Sequence, residues 1–203
     1  LMDHSNAFNN NSGRIIHEMS SNGQVYDKGR MEESQEFIHA CWMVYKWTGD
    51  QHLLKRAYEQ GLLIHDFLKN NDTDHDLYVE GYGGVEIEGL NKEMLDVACH
   101  TVEYLNDMAD MAKEMKDSVT SKEFSQKADT LKCRINREWR NADEYRYYDH
   151  LADSSIAIKL IDKALKERVI YDRNHWAMIK FTMLRSDILS GSYVRMGYDM
   201  FYN

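Results

Sequence analysis

Apolar positions recur at helical spacing through most of the chain after its first thirty residues. Phe37, Cys41, Val44 and Tyr45 repeat at intervals of about three to four, which predicts a first helix from about Glu32 to Thr48. Gly49 ends that pattern, and Asp50 can cap the next helix. Leu54, Ala57, Gly61, Ile64 and Leu68 then fall on one face of a second helix reaching about Leu68. A third stripe runs through Met94, Val97, Ala98, Thr101, Leu105, Met108, Ala112 and Met115, with Asn91 as its expected cap. The fourth helix is expected to open with Thr120 and Glu123 at the spacing of a capping box, and Phe124, Ala128, Leu131, Ile135 and Trp139 line its face. EYRYYDH looks like a short strand. A fifth helix is predicted from about Ser155 to Arg168 and a sixth from about Arg173 to Leu189.

These elements predict an all-α fold of antiparallel helical hairpins. Residues 1–30 are polar and rich in Asn and Gly, and predict an irregular segment with a short strand near Val25. Residues 31–203 carry three expected hairpins. There is no period-2 sheet pattern and no fixed-period repeat. The connection from Asn70 to Leu90 exceeds the usual length of about 4–6 residues, as functional loops often do.

Composition narrows the function classes. The chain has 203 residues and a net charge of -9, so its surface repels phosphate backbones and nucleic acid is not an expected partner. No apolar run approaches the roughly 18 residues of a membrane span. The opening LMDHSNAFNN has neither the basic nor the apolar region of a signal peptide, so a soluble chain is expected, in a compartment left open between cytoplasm, periplasm and exterior. Cys41, Cys99 and Cys133 are odd in number and widely spaced, which suits core thiols better than a disulfide framework or a zinc site. Proline is absent, where an average share of about 5% would give roughly ten.

Acids gather in the long loop. DTDHD, Asp72 to Asp76, alternates like the start of a calcium loop, but Leu77 and Gly83 stand where that loop needs Gly and Glu, so a solvated turn is expected. GYGGVEIEG lacks the spacing of a nucleotide loop; its glycines permit sharp bends that would bring Glu86 and Glu88 to a cavity. Two carboxyl groups are what cleavage of a glycosidic bond requires, one to protonate the leaving oxygen and one to activate water or attack the sugar. Trp42, Trp47, Tyr58, Tyr78 and Tyr82 lie in or near the predicted loop ends, where flat rings suit pyranose faces, although Trp42 and Trp47 read better as core. His17 and Glu18 could orient sugar hydroxyls. His39, His65 and His100 form no metal-like pair, and no metal or cofactor is expected.

The order of motifs carries a family resemblance. GRIIHEMSSNGQVYDKG, CWMVYKWTGDQHLLKRAYEQG, NNDTDHDLYVEGYG, EGLNKEMLDVACHTVEYLNDMADMAKEM and KADTLKCRINREWRNADEYRYYD together resemble the six-hairpin glycosidases over about residues 13–150. These include glucoamylases, glycogen-debranching glucosidases and glucosylceramidases of the bile-acid type. The resemblance implies a toroid of alternating inner and outer helices, with hydrolysis of a glycoside by two carboxylates in the loops at one end. It places the general acid at Glu86, or at Glu88 or Glu80 with a different gap. It places His17 and Glu18 beside the glycone site and Glu33 in the loop entering the first helix, and these three with Tyr82 are the expected sugar contacts. Ile16, Glu59 and Val79 stand where relatives often carry proline.

At roughly 50–60 residues per hairpin, a ring of six needs about 350. Three hairpins therefore predict half a ring, with the second carboxylate outside this chain, little turnover by the chain alone, and edges prone to self-association. Two rival functions remain at this point. One is a non-catalytic helical scaffold that binds carbohydrate or protein. The other is a sugar epimerase of the N-acylglucosamine type, which would need a pair of histidine bases that the predicted loops do not supply.

Overall fold

The computed structural model describes residues 1–81, 92–141 and 146–147. Five α-helices dominate the described residues: α1 Met2–Phe8, α2 Met31–Thr48, α3 Gln51–Asn70, α4 Leu95–Glu114 and α5 Ser118–Arg134. A π-helical turn, Ile135–Trp139, extends α5. Three short antiparallel ladders complete the set. They pair β1 Glu18–Met19 with β2 Val25–Asp27, β3 Glu80–Gly81 with β4 Lys92–Glu93, and β5 Arg140–Asn141 with β6 Arg146–Tyr147. The fold is all-α, and its helices pair as antiparallel hairpins.

The turns explain the hairpins. Gly49 closes α2 in the left-handed region, with φ of 68°. The Asp50 carboxylate then accepts the amides of His52 (2.9 Å) and Leu53 (3.1 Å), which starts α3 at once in the opposite direction. The α4–α5 turn works in the same way. Asp117 accepts the Thr120 amide (3.1 Å) and hydroxyl (2.8 Å), so the cap is Asp117 and the expected Thr120 lies inside the first turn. The carboxylate reaches the free amides of the turn and makes the better cap.

Cross-helix contacts fix the layering. Gln35, His39 and Tyr45 on α2 bond in order to Thr101 (2.7 Å), Asp107 (2.7 Å) and Glu114 (3.3 Å) on α4, so these two helices run parallel side by side. On the other layer, Tyr58 meets Asp117 (2.9 Å) and His65 packs edge-on against Phe124 (4.8 Å), so α3 and α5 are parallel too. The helices therefore form two layers, each of one direction. The starts of α2 and α4 lie at one end, with the close of α3 and the close of α5. At that end Arg134 pairs with Asp76 (2.9 Å), and Tyr78 donates to Glu138 (2.9 Å).

Between the layers, the predicted stripes of α3 and α5 are buried in full, as are Val97, Ala98, Leu105, Met108 and Ala112 of α4. Each such aliphatic side chain contributes about 1.5–3 kcal/mol on burial. Gly61 sits at the closest approach. A Cβ there would overlap the Met108 thioether, and the Tyr104 hydroxyl donates to its carbonyl (2.8 Å).

Several expectations need correction. The opening segment contains α1, a seven-residue helix too short to persist alone. It is held on α3 by Asn6 to Gln60 (2.8 Å) and Asp3 to Arg56 (2.6 Å), pairings invisible to a local reading. The buried face of α2 is Met31, Ser34, Ile38, Cys41 and Trp42, which leaves Val44 exposed. Trp47 is 86% exposed, not core. Cys41 is buried, but Cys99 and Cys133 are exposed. Met94, not Asn91, occupies the cap position of α4, because β4 intervenes. The expected fifth and sixth helices lie outside the described residues.

Candidate functional site

The site is built at the end where α2 and α4 begin. Chain entry there is rigid. Asp27 accepts the Gly29 amide (2.8 Å), and the Arg14 guanidinium donates to the Gly29 carbonyl. Gly29 has φ of +105°, and a Cβ on it would strike the Ile15 carbonyl, so only glycine fits. This bend delivers Arg30 to the cap position of α2. The Arg30 amide donates to Glu33, and its guanidinium lies 3.3 Å from the same carboxylate. Glu33 also meets His17 Nδ1 at 2.5 Å.

Of the sugar contacts expected from sequence, the structure thus joins His17 and Glu33. Glu18 follows on β1 and is exposed. Tyr82, Glu86 and Glu88 lie outside the described residues, between β3 and β4, whose ladder closes that segment at its base. Glu80 is on β3, is buried, and stands opposite Glu93 in the ladder. Its carboxylate accepts the Thr73 amide (2.8 Å) and the Thr73 hydroxyl, which ties the 72–80 turn to the hairpin. The hairpin seats on α2, because a Cβ on Gly81 would collide with the Met31 side chain.

One carboxyl group escaped the sequence reading. Glu32 is only 7% exposed, and its Oε2 has no hydrogen-bond partner. Burial pushes its carboxyl up to about 8, and the neighbouring charges of Glu33 and Asp96 push the same way. The signal was present in weak form. Glu32, Gln35 and His39 share one face at helical spacing, and that face forms the polar seam against Asp96, Thr101 and Asp107 of α4. Glutamate at a helix start is ordinarily read as a dipole partner, which hides this burial.

The aromatic candidates separate. Tyr58 is anchored to Asp117 at the opposite end, and Tyr78 is buried against Trp139 (5.3 Å between ring centres). DTDHD is not a solvated turn throughout. Asp72 is buried and accepts the amides of Asp76 (2.9 Å) and Leu77 (3.1 Å). Asp72, Asp74 and Asp76 bring oxygens within 4.8 Å of one another, a spacing a cation could use. Their charge is already met in part by these amides and by Arg134. A cavity of about 310 Å³ lies between α3, α4, α5 and the 72–79 turn, lined by His65, Leu68, Leu77, Val79, Tyr104 and Lys127 among others. Of the site residues expected from sequence, the described ones, His17, Glu18, Glu33 and Glu80, do not line it. Among the described residues, no helix is long and apolar enough to cross a membrane.

The two parallel layers and the acid-lined end now meet the comparison that decides the family. The model of the bacterial alpha-L-rhamnosidase 6 hairpin glycosidase domain matches residues 2–180. The chain belongs to this family. No individually curated protein matches it. As a six-hairpin glycosidase domain, it carries the glycoside-hydrolase assignment of its family. Its match reaches back to Met2, so α1 lies inside the family domain although the polar opening looked irregular.

Proposed function

We propose that this domain forms the acid side of an active site that hydrolyses a glycosidic bond, with an α-L-rhamnoside as the first substrate class to test. The observation that carries this is the gathering of Glu32, Glu33, Glu80, Glu93 and Asp96 where α2, α4 and the β3–β4 ladder meet. That gathering lies at the base of the segment bearing Glu86 and Glu88. The family assignment supplies the reaction class.

In this proposal Glu86 protonates the leaving oxygen, with Glu88 and then Glu80 next in line. Glu80 ranks last because Thr73 engages both of its oxygens. His17, Glu18, Glu33 and Tyr82 contact sugar hydroxyls, and Glu33 is held for that task by Arg30. The second carboxylate comes from outside this chain, and residues 31–203 form the hairpin portion of a toroid. Neither role calls on a metal or cofactor.

In a preparation that contains both carboxylates, Glu86→Gln should lower hydrolysis of an alkyl α-L-rhamnoside by about 10²–10⁴-fold. The loss should be smaller for a nitrophenyl rhamnoside, whose leaving group needs less protonation. Full activity in the Gln variants of Glu80, Glu86 and Glu88 would remove this segment from the mechanism.

A further inference from the structure

We propose that Glu32 is an additional substrate-contacting residue of this site, presenting Oε2 as a hydrogen-bond donor to an oxygen of the bound glycoside. The inference rests on the glycosidase reading above and adds a residue that neither the family match nor the sequence pattern assigns.

Geometry carries it. Glu32 is more than nine-tenths buried, yet one of its oxygens bonds to nothing. An unmet polar atom in a buried place carries its full desolvation penalty, and a ligand that bonds to it relieves that penalty. The place is the start of the seam between α2 and α4, beside the β3–β4 ladder seated on Met31. The charged groups that act on it are Arg30 and Glu33 on its own helix and Asp96 on α4, and the β3–β4 ladder lies alongside. Two neighbouring acids, Glu33 and Asp96, act on it against one cation, Arg30. A carboxyl among them is easier to bury with its proton than without. Arg30 does not undo this, because its guanidinium lies against Glu33 (3.3 Å). A protonated carboxyl has an O–H to give, and the acids around it offer sugar hydroxyls only acceptors. Glu32 therefore supplies a neutral acid donor among these carboxylates.

Two measurements on the purified chain test this. The first is a ¹³C titration of the Glu32 carboxyl without ligand, in which Glu32 should keep its proton at pH 7. Titration in the ordinary carboxylate range would overturn the proposal and leave the glycosidase reading standing. The second is binding of methyl α-L-rhamnopyranoside across pH 6–9. Wild-type affinity should fall about tenfold or more above pH 8, and Glu32→Gln, which keeps a donor of the same shape, should bind without that fall. Glu32→Met should bind weakly at every pH. Equal binding by the Met variant, or the same pH profile in wild type and Gln variant, would overturn the donor role. Absence of binding by every form, wild type included, would overturn both this proposal and the reading beneath it.

Discussion

Burial of Glu32 makes a definite prediction about stability and pH. Its carboxyl titrates near 4.5 when exposed and is pushed to about 8 in the fold. Between those values the folded chain holds a proton that the unfolded chain has released. Stability from this group is therefore fully present below pH 4.5, declines as pH rises towards 8, and is gone above it. At 1.36 kcal/mol per decade in proton affinity, the whole span is worth roughly 5 kcal/mol, comparable with the total stability of many domains. That figure is an upper bound, because a charged Glu32 would draw water and shift towards Arg30. Glu32→Gln keeps the shape and removes the titration. Urea unfolding followed by tryptophan fluorescence at pH 5.5, 7 and 8.5 gives the comparison, with buried Trp42 and Trp139 as reporters. The wild type should lose stability relative to the Gln variant by several kcal/mol from the first pH to the last. Parallel profiles would refute the account, and would mean that Glu32 is solvated in the folded protein.

His65 should act with the opposite sign. Burial, then the charge of Lys127, lowers its imidazole to about 4, so its contribution holds above pH 6.5 and fades as pH falls towards 4. His65→Gln should flatten the acid limb of the stability profile, and an unchanged limb would count against it. Gly61→Ala should destabilise the fold by about 1–3 kcal/mol in urea titration, because the added methyl must displace the Met108 thioether where α3 meets α4. A neutral effect there would show that Met108 repacks without cost.

Much of the hairpin architecture was legible because α3 and α5 each have one apolar face against polar surroundings. Their stripes are buried residue for residue. The face of α2 was read with an error of rotation, since this helix buries Gln35 and Glu32 on its seam with α4 and Ser34 against the Ile15 amide (2.9 Å), and polar residues in a core carry no apolar signal. Helix α1 was missed for a related reason. Its seven residues are held by ion pairs and amides from α3, 53 and 54 positions away. The resemblance named both His17 and Glu33, which the structure pairs at 2.5 Å. Glu32 was missed, because nothing in RMEES distinguishes a buried, unpaired acid from the half-buried, ion-paired one beside it. Tertiary burial makes the difference, and the charges of Glu33 and Asp96 add to it.

The central claim is that a glycoside binds where α2 and α4 begin. Chemical-shift mapping of the chain with methyl α-L-rhamnopyranoside tests it directly. The account predicts perturbed resonances for His17, Glu32, Glu33, Glu80 and Asp96, with those of Tyr58 and Asp117 at the far end unchanged. Shifts confined to the cavity beside His65 and Lys127, or no shifts at any concentration, would contradict it.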